Sequence, residues 1–405
     1  QMLGGSGFGS RLMQEIRELS KHLLDNLRLA MSVFLNGGTL STSDIKTTSA
    51  TWTGLGDDGV VLNGGTLRAT ADSTDFIQVW DPGGWGIRNN VGIGTAGAII
   101  DTNGFDIAIN RTLQDYGGAG SLTKNGAGKL TLVWSGHSGG TTVNAGTLEY
   151  TANGGWSLLR NTLTVNAGGT VSVLGDGTGL GWQGGSMVTT LNINGGTVTS
   201  PGTMHVWNIG GGVNMTGGTL QSNNGVSDAN GPQLEWINST VNTNASADSA
   251  TIGGRIRMRG DGGATGITFN VADGTAATDL LVSAAITEAS GGQNITKSGT
   301  GTMALTGANT YSGTTTISAG TIEIGGSAGT LGSGAVINDG ALVFNRSTAH
   351  NVGNAISGTG SVTQSGAGTT TLSGASTYTG ATSVTAGGLN LTGSLTSNVA
   401  VSGGT

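Results

Sequence analysis

The chain has 405 residues, 79 of them glycine and only 3 proline, with 10% charged residues, a formal net charge of -7 and no cysteine. The acidic balance argues against nucleic acid or an anionic membrane surface as the main partner, and the missing thiols exclude disulfides, thiolate metal sites and a cysteine nucleophile. The glycines follow no Gly-X-Y period and their apolar neighbours alternate in place, which excludes collagen and speaks against disorder.

From Arg11 to Phe34, apolar residues fall at Leu12, Ile16, Leu19, Leu23, Leu27, Met31 and Phe34, the spacing of one helical face. Ser10 is placed to cap this amphipathic helix and Asn36-Gly37 to stop it. Residues 1–35 are therefore expected to form an N-terminal segment whose helix covers the first coil of a repeat array or pairs with another chain as an assembly element. The start at Gln1 lacks the basic, apolar and small-residue regions of a signal peptide, and no stretch of about 20 apolar residues spans a membrane.

Residues 36–405 carry a recurring phrase, Gly-Gly-Thr-Leu or a close variant, at Asn36 to Leu40, Asn63 to Leu67, Asn144 to Leu148, Asn166 to Val171, Asn194 to Val198, Thr216 to Leu220, Ser318 to Ile322 and Thr385 to Leu389. Its threonines recur at intervals of about 25 residues or near multiples of that, which is the signature of a repeat array. Asn-Gly-Gly is turn chemistry, and the Thr-Leu after it opens an alternating, half-buried strand. Coils of this length are too short for a propeller blade and suit three short strands and three turns. The expectation is one all-β domain, a parallel β-helix of about 14 coils, rising about 4.8 Å per coil to roughly 70 Å.

Candidate sites fall between the phrases. Trp52, Trp134, Trp156, Trp182 and Trp207 precede the threonine of their next phrase (Thr66, Thr147, Thr170, Thr197 and Thr219) by nearly the same interval, so they are expected to form a ladder, with Trp236 continuing the run. An aromatic stack that stabilises the coils is one reading, and a platform of exposed rings for glycan chains is the other. Arg255, Arg257 and Arg259 alternate with Ile256 and Met258 and share one strand face, either paired with carboxylates of adjacent coils or open to an anionic ligand. Arg259-Gly260-Asp261 is also a known recognition tripeptide, though three residues arise easily by chance.

Chemistry is sparse. His22, His137, His205 and His350 are scattered and fit no metal-ligand spacing or nucleophile motif, so no catalytic residue, metal or cofactor is expected. Asp57, Asp58, Asp81, Asp101 and Asp106, near Trp80, Trp85 and Arg88, form the one acidic cluster, and a polysaccharide-acting enzyme would need two of these carboxylates about 5 to 10 Å apart beside a groove.

Three longer stretches share a finer pattern. Residues 118–148 contain Lys124-Asn125-Gly126-Ala127-Gly128 and Ala145-Gly146-Thr147-Leu148; residues 291–324 contain Lys297-Ser298-Gly299-Thr300-Gly301, Asn309-Thr310-Tyr311 and Ala319-Gly320-Thr321-Ile322; residues 358–391 contain Gln364-Ser365-Gly366-Ala367-Gly368, Ser376-Thr377-Tyr378 and Ala386-Gly387-Gly388-Leu389. The second and third keep a constant offset at every matching point, as in Gly299 with Gly366 and Tyr311 with Tyr378. The first is one residue shorter, with His137-Ser138 in place of Asn-Thr-Tyr. These stretches resemble the autotransporter-associated β-strand repeat, the passenger-associated repeat of bacterial autotransporter adhesins. The resemblance implies a right-handed parallel β-helix, exposed at the cell surface or secreted, and implies no catalytic site. The leading functional expectation is a noncatalytic stalk or adhesive passenger that contacts a glycan or a host surface protein. A filament subunit that self-associates through the N-terminal helix or the open coil at Val401 to Thr405 is second, and the enzyme is third.

Overall fold

The structure, a computed structural model, describes residues 28–29, 33–47, 59–79, 90–151, 159–174, 180, 188–200, 212–222 and 234–405. Two compact units are present, Gln1–Thr151 and Ala152–Thr405. Within each, short strands pair in parallel with their counterparts one coil away, and the turns between them take the glycines. Apart from a single 3-10 turn at Asp261–Gly263, the described elements are strands.

In the first unit one parallel ladder runs through Val33–Leu35, Val60–Leu62, Asn90–Gly94, Ile107–Tyr116, Lys129–Ser135 and Gly146–Tyr150. A second runs through Thr39–Thr42, Thr66–Ala69, Ala98–Asp101, Leu122–Asn125 and Thr141–Val143. A third joins Arg28–Leu29, Ile45–Thr47 and Ile77–Val79.

The expected helix over residues 11–34 does not extend to Phe34, because Arg28–Leu29 and Val33–Leu35 are strands; residues 11–27 lie outside the described residues. Val33 is buried and its neighbour Phe34 is 46% exposed, a period of two and not of 3.6. Val33, Phe34 and Leu35 pair one to one with Val60, Val61 and Leu62. A β-branched and aromatic run entering a Gly-Gly turn satisfies that ladder, and the pairing outweighs a helical spacing that the same residues also fit.

In the second unit the longest ladder has eleven strands: Gly169–Val173, Thr197–Ser200, Thr219–Ser222, Ala250–Gly253, Leu280–Val282, Thr302–Leu305, Thr321–Gly326, Ala341–Arg346, Ser361–Gln364, Thr382–Val384 and Val399–Val401. Beside it a nine-strand ladder runs through Asn161–Asn166, Val188–Asn194, Val213–Thr216, Thr240–Thr243, Gly266–Val271, Asn294–Ser298, Thr315–Ile317, Val336–Asn338 and Ile356–Ser357. The third side is formed by Leu234–Trp236, Arg255–Met258 and Ala285–Glu288 and, further along, by His350–Val352, Thr369–Leu372 and Gly388–Leu391.

Alternation fills the interior of each unit. In Asn161–Asn166, Leu163 and Val165 point inward and are fully buried while Thr162 and Thr164 face out. Each such Leu, Ile or Val contributes about 1.5–3 kcal/mol when fully buried. The longest described ladders hold six strands in one unit and eleven in the other, against about 14 coils expected for the whole chain. Coil length explains the difference. One full coil carries the chain from Thr170 to Thr197, whereas later coils, from Thr302 to Thr321 and from Thr321 to Ala341, close in markedly fewer residues.

The recurring phrase does not mark one fixed corner. In the first unit, Thr39 and Thr66 lead into the five-strand ladder, whereas Thr147 leads into the six-strand ladder. The phrase is a portable turn, used wherever the chain changes direction.

Candidate functional site

The three longer repeats turn most of their distinctive side chains inward. Lys124 lies in an apolar column, in register with Ile100 on one side and Val143 on the other, and is fully buried. Its ammonium donates to the carbonyls of Asn125 (3.1 Å) and Gly126 (2.7 Å) in its own turn, to that of Ala145 (2.9 Å) in the next coil, and to the Thr102 hydroxyl (3.0 Å). Lys297, in register with Phe269 and Ile317, repeats this with the carbonyls of Ser298 (3.0 Å), Gly299 (2.7 Å) and Ala319 (3.1 Å). Burial holds both ammonium groups down to about 8, opposed by the nearby Asp101 and Asp106 for Lys124 and by Asp279 for Lys297. Gln364 takes the same place in the third repeat. Its Nε2 donates to Gly366 (2.7 Å) and Gly368 (3.0 Å), and its Oε1 accepts from the Thr370 hydroxyl at 2.6 Å. Where the other repeats have the apolar Leu130 and Met303, the glutamine repeat has a threonine that satisfies the extra carbonyl.

A second polar pair closes each repeat. The Tyr311 and Thr315 hydroxyls are 2.7 Å apart, and those of Tyr378 and Thr382 are 2.5 Å apart, all fully or nearly fully buried. In the first repeat His137 Nε2 lies 2.9 Å from the Thr141 hydroxyl and Nδ1 lies 2.6 Å from Ser135 Oγ. The smaller imidazole is accompanied by a fully buried Tyr150, where the second repeat has Ile324. Ser135, His137 and Thr141 are all buried, and their hydrogen bonds fasten the coil.

Trp52, Trp156, Trp182 and Trp207 lie outside the described residues. Trp134, next to last in the strand Lys129–Ser135, is 39% exposed, whereas Trp236 is fully buried, its ring 6.5 Å from that of Phe269. Arg257 and Arg259 both bind the buried carboxylate of Glu235, at 3.0 and 2.7 Å, and Arg259 also meets Asp261 at 2.5 Å. Arg255 begins the same strand and is half-buried. Two carboxylates therefore neutralise Arg257 and Arg259, and the Arg and Asp of Arg259-Gly260-Asp261 bind each other.

Acidic residues serve the turns. Asp101 pairs with Arg68 at 2.8 Å and accepts the Asn103 N–H, and Asp106 accepts the Lys129 N–H. Burial pushes the Asp115 carboxyl up, but the N–H groups of Gly120 and Ser138 and the Ser138 hydroxyl bring it below its ordinary value. Asp57, Asp58, Asp81, Trp80, Trp85 and Arg88 lie outside the described residues, among which no group of three or more His, Asp or Glu is arranged to hold a metal. A groove of about 520 Å³ in the second unit is lined by Leu331, Phe344, His350 and Asn354 among others. Burial, reinforced by Arg346, lowers His350 to about 4, and the Asn354 amide is tied to the Gly332 and Gly334 carbonyls.

The second unit also carries a polar ladder on its surface. On the outward side of the nine-strand ladder, Asn192, Asn214, Asn242 and Asn270 stack in register. Their amides form a one-way chain: Ser298 Oγ donates to Asn270 Oδ1 (3.4 Å), Asn270 to Asn242 (3.2 Å), Asn242 to Asn214 (3.1 Å), Asn214 to Asn192 (2.9 Å) and Asn192 to Thr164 Oγ1 (3.3 Å). Two residues earlier in three of these strands stands a threonine, and Thr240, Thr268, Thr296 and Thr316 are likewise in register. The sequence signal is a Thr-x-Asn triplet at coil spacing, in Thr190 to Asn192, Thr240 to Asn242 and Thr268 to Asn270.

Fold and repeat corners together define a parallel β-solenoid. The passenger-associated-transport-repeat family matches residues 122–149, 295–324 and 362–391, so these three stretches are copies of that repeat. It is also similar to the adhesin BmaC autotransporter of Brucella suis biovar 1 (strain 1330), 30% identical over 313 residues that make up 70% of this chain and 8% of that adhesin. The chain thus matches less than a tenth of the length of that relative. No solved structure matches it.

Proposed function

We propose that this chain is a noncatalytic segment of an autotransporter passenger, a right-handed β-helix displayed outside a bacterial cell as a stalk or adhesive surface. The observation that carries the reading is the fate of the repeats' polar residues. Lys124, Lys297 and Gln364 bind turn carbonyls, and His137, Tyr311 and Tyr378 bind threonines inside the coils. Side chains that could perform chemistry instead fasten turns within a coil and, for Lys124 and Lys297, tie one coil to the next, which suits a scaffold whose contacts lie on its lateral faces. Similarity to an autotransporter adhesin supports the setting, and no helix among the described residues is long and apolar enough to cross a membrane.

The test places the chain between a signal peptide and an autotransporter barrel in a Gram-negative host, with surface exposure read by protease treatment of intact cells. A folded, surface-exposed and protease-resistant chain that increases attachment to a glycan- or protein-coated surface is the expected result. Retention in the periplasm, or display without any gain in attachment beyond that of an unrelated passenger, overturns the adhesive reading.

A further inference from the structure

We infer that the Thr/Asn face of the second unit is a binding surface for an extended, uncharged β-linked polysaccharide lying along the coil axis. It rests on the adhesive reading and deepens it by naming the partner. The face offers two columns, asparagines at 192, 214, 242 and 270 and threonines at 240, 268, 296 and 316, which stand side by side in Thr240–Thr243 and Gly266–Val271 and follow one another along the remaining coils. Neighbouring rungs are about 4.8 Å apart and the columns about 6.6 Å apart, from the spacing of paired strands and the rise of two residues along a strand.

Three properties select the partner. The first is hydrogen-bonding capacity. Each internal Asn uses one N–H and one oxygen lone pair within its column, leaving one donor and one acceptor for a ligand. The hydroxyls of Thr240, Thr268, Thr296 and Thr316 have no protein partner among the described residues. The same amide chain fixes the asparagine rotamers in advance, so binding orders little further.

The second property is charge. The outward positions of Thr240–Thr243, Gly266–Val271, Asn294–Ser298 and Thr315–Ile317 carry none, and the one lysine in these strands, Lys297, points into the core. On a chain of net charge -7 this face neither attracts a cationic partner nor offers a cation to an anionic one. The third is periodicity. An extended β-linked hexose chain advances by nearly one rung per sugar, so hydroxyl groups meet amides and threonine hydroxyls repeatedly, while the threonine methyl groups lie against the C–H faces of the rings. Each rung contributes little, and affinity arises from several rungs held on one rigid chain.

The experiment is calorimetric titration of the full chain with cello- and chito-oligosaccharides of two, four and six sugars. The expected result is affinity rising about tenfold or more from the disaccharide to the hexasaccharide, unchanged between low and high salt, and falling about tenfold or more in Thr268→Arg. That side chain faces outward and has no protein bond, so the variant retains its β-rich circular dichroism; Asn242→Ala, which interrupts the amide chain, provides a second variant. Absence of binding to either series overturns the inference, as does binding that ignores ligand length or is unmoved in both folded variants. Sedimentation that shows only self-association through this face also overturns it. If displayed chain still attaches to surfaces while both series fail, the adhesive reading survives and this assignment falls.

Discussion

Residues 295–324 and 362–391 carry one pattern, yet they occupy different faces of the same unit. The second repeat begins in the nine-strand ladder with Asn294–Ser298, and the third begins in the eleven-strand ladder with Ser361–Gln364. The reason lies in the coils. Thr302 and Ser361 stand three rungs apart on one ladder, and Thr369, the counterpart of Thr302, comes one strand after Ser361, on the next face. Both copies nonetheless keep the buried polar corner, the Tyr–Thr pair and the Ala-Gly turn. The repeat is therefore a local code for about a coil and a half, indifferent to which side of the solenoid it builds. Its copies can drift around the axis as intervening coils change length.

The strongest challenge to that equivalence is the turn glycine. Gly320 and Gly387 have φ of +67° and +60°, and a Cβ at either would come within 2.5 Å of carbonyl oxygens in the coil below. Gly320→Val and Gly387→Val are each expected to cost more than about 3 kcal/mol through strain and overpacking, read as loss of amide protection in the coils they join. A large loss at one position only would show that the two corners are not equivalent.

Removing the corner's donor comes next. Lys297→Met leaves the Ser298, Gly299 and Ala319 carbonyls without it, at an expected cost of about 2–4 kcal/mol, while Gln364→Leu removes an uncharged partner from the Gly366 and Gly368 carbonyls and the Thr370 hydroxyl and costs about 1–3 kcal/mol. Hydrogen exchange of neighbouring amides resolves these local openings, where a global melt of a repeat array is not two-state. Thr315→Val is a smaller change. It removes the hydroxyl bound to Tyr311 and is expected to cost about 1 kcal/mol, with Thr382→Val costing somewhat more because Thr382 also meets Ser397.

The smallest effect is pH-dependent and separates the copies directly. Burial lowers Lys297 in the folded chain to about 8, against about 10.4 for a free lysine, so the unfolded chain binds more protons between those values. The Lys297 contribution is complete above its unfolded value and is lost as pH falls through about 8. Urea midpoints of the wild type are expected to rise relative to those of Lys297→Gln from about pH 7.5 to about 9.5. The Gln364 corner carries no titrating group and is expected to show no such trend, which a Gln364→Leu series over the same pH range checks.

Much of the architecture was legible because turns and alternation are local. Asn-Gly-Gly phrases, half-buried Thr-Leu strands and the three long repeats led to parallel coils, and the wide gaps concealed only the short coils after Leu280. The helix reading failed at Arg28–Leu29 and Val33–Leu35, where apolar spacing fitted two structures and pairing with Ile45–Thr47 and Val60–Leu62 chose between them. Candidate sites were less legible. Trp134 and Trp236 share a phase in the sequence but not an environment, since one faces solvent and the other packs on Phe269. Glu235 was invisible as the partner of Arg257 and Arg259 because it lies on the neighbouring coil, distant in sequence from both. The Thr-x-Asn triplets were present in plain view, yet only strand register turns them into columns.

By itself the sequence determined the kind of coil, because turn geometry and inward-outward alternation are written within a few residues. Tertiary structure decided which face each repeat occupies, that lysines line the core, and which polar residues join across coils. Those outcomes depend on the number of residues between strands, a quantity summed over whole coils, and on hydrogen bonds that exist only once the next coil has been laid down.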